Sequence, residues 1–462
     1  MLYCNLECVR DIKIVGEKSF DRRSIFNPLF LFWFMNENAE FVVENVKAHH
    51  KWFQSCLPII ASENLISPLA REMLITDFCD RYAEGHPGKR YYQGCIYIDK
   101  VELKCIELAK KLFRCSYADV RPISGTVANI GVFKALAKPG DTITALNTAE
   151  GAHISHAKFG GAGVRGLEVV NYPFDPKNMN IDVDGTVKLI KEIKPKIALF
   201  GQSVYLFPTP LKEIAETAHD IGSSVVYDGA HVLGLIAGGK FQDPLREGAD
   251  VITGSTHKTL PGPQGGIVLS DHKGNTEEDK KFLKSLDSGI FPGVVSNHHL
   301  HHMAAKAVAF AEHIEFGKEY SEQIIRNAKA LAQTMYELGF DVFCEHLGFT
   351  ESHQIVVGVG EGKGKWAAEN LEKAGIIVNM NMIPGDTKPL SPSGLRIGVQ
   401  ELTRIGVKEN DMKDVARFFK KVLIDKAEPE DVNHEVAGFR KGFNIIHYCF
   451  KGGEAHKYYE IT

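Results

Sequence analysis

The feature that most constrains the fold is a repeated change in the spacing of apolar residues. From Ile98 to Leu112 they recur at spacings of three and four, as in an amphipathic helix. Short apolar runs, separated in several places by helical segments such as 210–222, then follow at residues 141–146 (DTITAL), 167–172 (LEVVNY), 196–201 (KIALFG), 223–228 (SSVVYD), 250–255 (DVITGS) and 265–269 (GGIVL). Near-continuous apolar strands that alternate with helices are typical of parallel sheets buried on both faces. The sequence therefore predicts an α/β fold with a large, mainly parallel sheet.

A second, smaller α/β region is predicted towards the C-terminus. A long helical stretch from about residue 298 to 339, interrupted near Gly317, is expected to connect the two regions. Strand-like and helical runs follow at residues 353–359, 365–374, 376–379 and 395–398. We expect an N-terminal arm at 35–70, a large domain at 71–310, a small domain at 311–425 and a tail at 426–462 to which no function is assigned.

The composition narrows the class of protein. Hydrophobic residues make up 44% and charged residues 24% of 462 residues, which is ordinary for a globular protein. A net charge of −4 argues against a general nucleic-acid or membrane surface. The nine cysteines contain no C-x-x-C pair, so we expect a cytoplasmic protein without a metal site.

The first 34 residues lie before the predicted N-terminal arm. The apolar run at residues 29–35 (LFLFWFM) is far shorter than the roughly 20 residues of a spanning helix, and no cleavage site follows it. Helix-like sequence begins only after Met35. We therefore expect Met35 to be the natural start and residues 1–34 to be a non-native extension.

One lysine and one aspartate stand where strands are predicted to end. Asp228 closes the run SSVVYD, and Lys258 follows the run DVITGS. Ligands of parallel sheets bind at the carboxyl ends of strands. A lysine that forms a Schiff base and an aspartate that protonates a pyridine nitrogen are what pyridoxal phosphate (PLP) requires. A capping aspartate and a solvated lysine are the alternative that these two positions leave open.

A phosphate cradle is predicted where Ser124, Gly125 and Thr126 precede the helical run 127–136. Backbone N–H groups at a helix N-terminus together with hydroxyl groups bind phosphate well, although the same residues can form a plain helix cap. The glycine-rich stretch 358–364 lacks the third glycine of a dinucleotide-binding motif and is predicted to be a surface turn. The stretch 82–94 (YAEGHPGKRYYQG) is dense in polar, aromatic and turn residues, which predicts an irregular loop that lines a site.

Several ordered motifs resemble the serine hydroxymethyltransferase family, in its archaeal-type branch. They are YAEGHPGKRYYQG, IASEN at 60–64, SGTVAN at 124–129, DGAH at 228–231, STHKT at 255–259 and SGLRIG at 393–398. The resemblance covers about residues 40–425. It implies the PLP fold type I architecture, similar to aspartate aminotransferase, with 71–310 as the PLP-binding domain. It also implies a homodimer or a dimer of dimers with shared active sites.

The resemblance assigns cofactor contacts to several residues. It implies that Lys258 holds PLP, that Asp228 pairs with the pyridine nitrogen and that His153 stacks on the ring. Ser203 and His231 are implied to lie near the ring hydroxyl or the substrate carboxylate. The implied phosphate contacts, of which the last comes from the partner subunit, are Ser124, Gly125, Thr126, His257 and Tyr82.

The resemblance also assigns substrate contacts and catalytic groups. Arg396 would bind the amino-acid carboxylate, for which a bidentate guanidinium is suited. Glu84, from the partner subunit, would be the acid and base at the serine hydroxymethyl group, with Tyr91 beside it. Thr256 would support exchange at the lysine, and Asn381 would contact the pterin. Two residues would assist the arginine: Ser62 and Tyr92.

The implied reaction converts L-serine and a reduced pterin to glycine and the methylene form of the carrier. Gln264, Met380 and the pair Ser296-Asn297 depart from the family pattern, which usually has Arg, Lys and a glycine pair there. The carrier is therefore left open between tetrahydrofolate and tetrahydromethanopterin. A pterin-independent aldolase acting on β-hydroxy amino acids is the alternative enzyme, and a catalytically silent PLP-fold protein is the alternative outside catalysis. The histidine run 298–302 is expected to start a helix near a dimer interface.

Overall fold

A computed structural model describes residues 36–460 in two compact units, divided between His49 and His50. The first unit contributes residues 36–49 to the description, and all but the first of these belong to helix α1 (Glu37–Phe53). This helix begins at Glu37, two residues after Met35, in agreement with the helix-like sequence predicted there. The expectation that residues 1–34 are non-native lies outside the described residues.

The elements of the chain are as follows. The helices, in chain order, are α1 (Glu37–Phe53), α2 (Pro68–Met73), α3 (Ile96–Phe113), α4 (Gly125–Leu136), α5 (Gly161–Val164), α6 (Val183–Ile193), α7 (Leu211–Asp220), α8 (Leu233–Ala237), α9 (Glu277–Ile290), α10 (Leu300–Glu337), α11 (Gly364–Lys373), α12 (Gln400–Arg404), α13 (Glu409–Leu423) and α14 (Pro429–Arg440). The strands are β1 (Leu57–Pro58), β2 (Gly85–His86), β3 (Lys89–Arg90), β4 (Tyr117–Asp119), β5 (Thr142–Ala145), β6 (Glu168–Asn171), β7 (Phe174–Asp175), β8 (Asn180–Ile181), β9 (Ile197–Phe200), β10 (Ser224–Asp228), β11 (Val251–Ser255), β12 (Gly266–Ser270), β13 (Asp341–Val342), β14 (Gln354–Gly358), β15 (Ile376–Ile377), β16 (Asn379–Asn381) and β17 (Gly394–Gly398).

The large sheet has seven strands in the order β4-β12-β11-β10-β9-β5-β6. The pairs from β11 to β6 are parallel, whereas β12 runs antiparallel to both of its neighbours. All six predicted runs form strands of this sheet, so the prediction of a large, mainly parallel sheet is confirmed. The short strand β4 was not predicted, because three residues carry too little periodicity to be recognised.

Burial on both faces explains why the central strands read as continuous apolar runs. Along β10, Val225 and Tyr227 pack into one core, with Phe310 of α10, while Val226 packs into another, with Phe133 of α4. Successive side chains of a strand point to opposite faces, so both faces of β10 require apolar residues. The helices that cover the sheet therefore also fix its carboxyl edge.

The second sheet has four strands in the order β13-β14-β17-β16, all antiparallel. Helix α10 joins the two sheets along the chain and runs unbroken, so the predicted interruption near Gly317 is wrong. Gly317 is buried in the helix, and a Cβ placed on it would lie 2.5 Å from Cδ2 of His313. The glycine serves close packing and does not break the helix. The tail contains helix α14, and the domain borders proposed from sequence stay predictions.

No helix within residues 36–460 is long and apolar enough to cross a membrane.

Candidate active site

A cavity of about 280 Å³ opens at the carboxyl ends of β10 and β11 and the N-terminus of α4. Parallel neighbouring strands end at the same edge of a sheet, which places Asp228 and the segment leading to Lys258 side by side. The lining residues are Ser62, Ser124, Gly125, Thr126, His153, Gln202, Ser203, Asp228, Ala230, His231, Ser255, His257, Lys258 and Gln264. Ten residues proposed from sequence as site residues thus meet in one cavity: Ser62, Ser124, Gly125, Thr126, His153, Ser203, Asp228, His231, His257 and Lys258.

Lys258 is 8% exposed, and its ammonium group has no hydrogen-bond or ion-pair partner among residues 36–460. Burial lowers the pKa of Lys258 to about 8, with Asp228 opposing and Arg396 reinforcing this shift. Its backbone is fixed by Asn64, whose Nδ2 donates to the Lys258 carbonyl oxygen at 2.6 Å. The site therefore holds a positioned amine that is partly neutral near pH 7.

Asp228 is held as an anion by side chains that the sequence reasoning did not identify. Asn129 Nδ2 donates to its Oδ2 at 2.7 Å, and His156 Nε2 donates to the same oxygen at 2.8 Å. Burial alone would raise the pKa of Asp228, but the His156 hydrogen bond and charge, with the donation from Asn129, bring it well below its usual value. Asn129 lies inside the motif 124–129 and His156 lies three residues after His153, yet their role depends on contacts that only folding creates.

The N-terminus of α4 forms an anion cradle beside the lysine. Ser124 caps the helix, accepting from Val127 N at 3.1 Å. A Cβ on Gly125 would lie 2.6 Å from Ser255 Oγ, so only glycine allows this close approach. The buried Nδ1 of His257 has no hydrogen-bond partner among the described residues. Unpaired backbone N–H groups and an unpartnered polar nitrogen indicate a site for an anionic group.

A buried lysine, Lys306, links the segment before α4 to the start of β12. Its Nζ donates to the carbonyl oxygens of Val120 and Pro122, at 2.6 and 3.3 Å, and to that of Gly266, at 3.1 Å. These carbonyls belong to the segment that enters α4 and to the start of β12. Lys306 is 2% exposed, so this contact fixes the cradle from within helix α10. The sequence offered no indication of it, because the residue lies in an ordinary helical pattern.

Arg396 lies on β17 and reaches the cavity through Ser203. Its Nη1 donates to the Ser203 carbonyl oxygen at 2.8 Å and its Nη2 to Asn379 Oδ1 at 3.3 Å, while the buried Nε has no partner within residues 36–460. Burial lowers the pKa of Arg396 to about 10. The guanidinium still carries its charge at neutral pH and retains donor capacity for an anionic group.

The stretch 82–94 does not line the cavity of its own chain. Its middle, residues 85–90, forms the hairpin β2–β3, where the prediction of an irregular loop is wrong, while residues 82–84 and 91–94 lie in neither helix nor strand. Gly85 and Gly88 allow the hairpin through positive φ angles of 102° and 74°. Arg90, in its second strand, pairs with Asp99 at 2.8 Å and Glu102 at 2.5 Å. Four predicted site residues lie on or beside this hairpin and outside the cavity: Tyr82, Glu84, Tyr91 and Tyr92.

Two further predicted site residues, Thr256 and Asn381, do not line the cavity. Thr256 is fully buried, and its Oγ1 donates to the Pro263 carbonyl oxygen at 2.8 Å, behind the cavity wall. Asn381, on β16, donates to the Met382 carbonyl oxygen at 2.6 Å and is not a lining residue. Gln264, the departure from the family pattern, lines the cavity. The histidine run starts a helix, as expected, since α10 begins at Leu300.

The arrangement of sheet, strand-terminal aspartate and buried lysine places the protein in PLP fold type I. A solved structure of L-threonine transaldolase from Pseudomonas fluorescens is similar to it, with a TM-score of 0.82, 30% sequence identity, and coverage of 90% of this chain and 94% of that one. The class expected from sequence is thereby confirmed.

The comparison of sequences narrows the class to one family. The serine hydroxymethyltransferase family profile matches residues 35–419. Proteins named serine hydroxymethyltransferase are 51% identical in Methanocella arvoryzae (92% of this chain, 99% of that one), 52% in Methanocaldococcus jannaschii (88% and 95%) and 53% in Thermococcus kodakarensis (90% and 97%). The chain belongs to the serine hydroxymethyltransferase family.

Unpartnered polar groups in the cavity test whether the residues fit PLP. His257 Nδ1 and Gln202 Oε1 are buried without a hydrogen-bond partner among the described residues, and both residues line the cavity together with Lys258. Native proteins seldom leave buried polar atoms unpaired, so these atoms indicate a ligand with complementary groups. An amine for an aldehyde, an anion for a pyridinium nitrogen and a helix N-terminus for a phosphate are all present, and the residues fit.

Proposed function

We propose that this protein catalyses the reversible conversion of L-serine and a reduced pterin to glycine and the 5,10-methylene pterin. The observation that carries the proposal is the cavity itself, in which nine other residues that the resemblance assigns to the site meet around the amine of Lys258. When bound, PLP supplies an electron sink for the carbanion left when the Cα–Cβ bond of serine breaks. The steps below concern what the protein's own groups contribute.

Lys258 would hold the cofactor, and Asp228 would keep the ring nitrogen protonated. A pKa of about 8 leaves part of the Lys258 amine neutral at physiological pH, as covalent attachment requires. The hydrogen bonds from Asn129 and His156 both go to Oδ2 of Asp228, while Oδ1 accepts from the Ala230 N–H at 3.0 Å. The carboxylate is thus an oriented anion, which suits it to pair with a cationic ring nitrogen.

The phosphate would lie at the N-terminus of α4. Ser124, Gly125 and Thr126 offer backbone N–H groups and hydroxyls there, and His257 adds a ring nitrogen. The helix macrodipole favours an anion at this end. His153, which lines the cavity next to Asp228, would cover the ring of the cofactor, and Ser203 would lie at its edge.

Arg396 would bind the carboxylate of serine, assisted by Ser62 from the cavity wall. Its Nε is buried without a partner, and the contact of Nη1 with the Ser203 carbonyl orients the guanidinium. A charge-assisted, bidentate contact fixes the amino acid in one orientation relative to the lysine. We propose this as the determinant of amino-acid specificity.

The hairpin 85–90 would complete the site of a second copy of the chain. Tyr91 is 74% exposed, and Ile96 and Tyr97, at the start of α3, are 71% and 72% exposed. Arg90 anchors the hairpin to Asp99 and Glu102 of α3. A homodimer would bring Glu84, Tyr82, Tyr91 and Tyr92 to the partner's cavity, where Glu84 would move the proton of the serine hydroxymethyl group.

The proposal also covers Thr256 and Asn381, the pterin carrier and the location of the protein. Thr256 would support exchange of the amine at Lys258, and Asn381 would contact the pterin. Tetrahydrofolate and tetrahydromethanopterin are both candidates for the carrier. A cytoplasmic location agrees with the free cysteines, such as Cys56 and Cys105, which are buried and unpaired.

The test is conversion of serine by the purified, PLP-loaded protein with no pterin, with tetrahydrofolate and with tetrahydromethanopterin. We expect glycine to form from serine only with one of the carriers. Equal turnover of a β-hydroxy amino acid without any pterin would instead establish the aldolase. Absence of both reactions, with PLP bound, would refute the proposed function.

A further inference from the structure

His231 lines the cavity with one of its two ring nitrogens already engaged. Nδ1 lies 2.9 Å from Nε2 of Gln354, while Nε2 of His231 has no partner among residues 36–460. The tautomer of a neutral histidine is set by the hydrogen bond that its inner nitrogen makes. The orientation of the Gln354 amide therefore decides which proton His231 presents to a ligand.

Two backbone groups fix the orientation of that amide. Gln354 Oε1 accepts from the N–H of Tyr205 at 2.8 Å, and Gln354 Nε2 donates to the carbonyl oxygen of Ser203 at 3.0 Å. Rotating the amide by half a turn would place an oxygen against the Ser203 carbonyl and an NH₂ group against the Tyr205 N–H. Both contacts would become repulsive, so Nε2 is the atom that faces His231.

The second proton on Gln354 Nε2 can then go only to His231 Nδ1. His353 lies at 3.2 Å from the same nitrogen, but its Nε2 is 3.1 Å from the Ala61 carbonyl oxygen, to which it must donate. The contact between Gln354 and His353 therefore joins two donors and is no competitor. Nδ1 of His231 must be the acceptor, which leaves the proton on Nε2.

We propose that Gln354 is a positioning residue that fixes His231 as the neutral Nε2–H tautomer, so that His231 donates a hydrogen bond to an anionic oxygen of the cofactor or the amino acid and does not accept its proton. The inference rests on the proposed function for its ligand, but the tautomer follows from contacts within the chain alone. It adds a role that the family's motifs do not assign, since Gln354 lies outside the cavity lining.

The charges around His231 reinforce the neutral state. Lys258, Arg396, His353 and His153 all face it. Burial lowers the pKa of His231 well below its usual value, and the cationic Lys258 and Arg396 lower it further. An imidazolium would in addition point an Nδ1–H at the N–H of Gln354. A ring that stays neutral cannot release a proton to the ligand near neutral pH, but it can hold an oxygen in place.

The test is ¹⁵N NMR of the full-length, PLP-loaded protein labelled at histidine, with the His231 resonances assigned by their loss in H231N. We expect a pyridine-type Nδ1 and a pyrrole-type Nε2 that do not titrate between pH 6 and 8. Addition of glycine separates the two ligand oxygens: the Nε2–H resonance moves if the amino-acid carboxylate is its partner and stays if the cofactor oxygen is.

Two variants at position 354 test whether Gln354 fixes the tautomer of His231. In Q354E a carboxylate faces Nδ1, so both ring nitrogens should be protonated near neutral pH and serine turnover should acquire an added ionisation in its pH profile. In Q354M, Nδ1 of His231 loses its hydrogen-bond donor. We then expect KM for serine to rise about three- to tenfold with little change in kcat, as for one lost hydrogen bond. Gln333→Glu on the surface of α10, where the Gln333 side chain donates to Glu337, is the matched control and should leave the His231 spectrum unchanged.

The outcomes are separable from those of the serine assay. A protonated Nδ1 in the unaltered protein, or an unchanged His231 spectrum in Q354E, overturns the role of Gln354. The spectrum is recorded without turnover, so it supports or overturns the tautomer even where no serine is converted. A failed serine assay refutes the proposed function instead.

Discussion

The buried lysine leads to a quantitative prediction for the pH dependence of cofactor attachment. Only the neutral amine attacks the aldehyde of PLP. With the pKa of Lys258 at about 8, about one tenth of the amine is neutral at pH 7, against roughly 0.03% for a lysine at the ordinary value of 10.5. Burial therefore makes Lys258 about 300-fold richer in the reactive form than an exposed lysine.

The assay follows the absorbance of cofactor-free protein mixed with PLP, from pH 6 to pH 10. We expect the attachment rate to rise roughly tenfold from pH 6 to 7, about fivefold from 7 to 8, and less than twofold above pH 8. Because the Asp228 anion raises the pKa of Lys258, D228N should move the plateau to lower pH. K258A, which has no amine at this position, should give no covalent band at any pH.

A rate that keeps climbing about tenfold per pH unit through pH 9 would refute the reasoning, since it would show an amine with an ordinary pKa. If the plateau stays at pH 8 in D228N, burial would still explain the lowered pKa of Lys258, but Asp228 would not be the charge that opposes it.

Three further predictions concern the cradle, the hairpin and the proposed acid. G125A should weaken PLP binding in equilibrium dialysis, because the new Cβ would lie 2.6 Å from Ser255 Oγ; unchanged affinity would contradict the close approach. R90M should lower the free energy of unfolding in urea by about 1.5–3 kcal/mol, since it removes the Arg90 guanidinium from the buried Glu102 and leaves that carboxylate with only the His298 ring; a loss below about 1 kcal/mol would contradict this anchor. E84Q should retain the PLP absorbance yet lose pterin-dependent serine cleavage, and near-normal turnover would remove Glu84 from the mechanism.

The core of the site could be predicted because two simple rules place it. Continuous apolar runs identify buried parallel strands, and such strands present their last residues at one edge. Asp228 and Lys258 are therefore neighbours in the cavity although β10 and β11 are separate in sequence. The resemblance then adds Ser124, His153 and His257, which the cavity does bring together.

The supporting contacts could not be predicted in the same way. His156, Asn129 and Gln354 act on Asp228 and His231 through hydrogen bonds between distant parts of the chain. No periodicity or spacing marks such residues, because polar side chains in these patterns are equally common as caps and surface groups. The prediction of a helix break at Gly317 was wrong for a related reason: a glycine can end a helix or can stand where a neighbouring side chain leaves no room for a Cβ, and only the packing distinguishes the two.

The departure at Ser296-Asn297 acquires a physical meaning from the hairpin segment. Asn297 Oδ1 accepts from the Ala83 N–H at 2.9 Å, and its Nδ2 lies 3.4 Å from the Arg81 carbonyl oxygen. The amide thus clamps the backbone on both sides of Tyr82, whose hydroxyl is 3.5 Å from Ser296 Oγ. A glycine pair has no side chain for these contacts. The resemblance implies that Tyr82 contacts the phosphate of the partner's cofactor, so the contacts of Asn297 and Ser296 would fix a residue of that site.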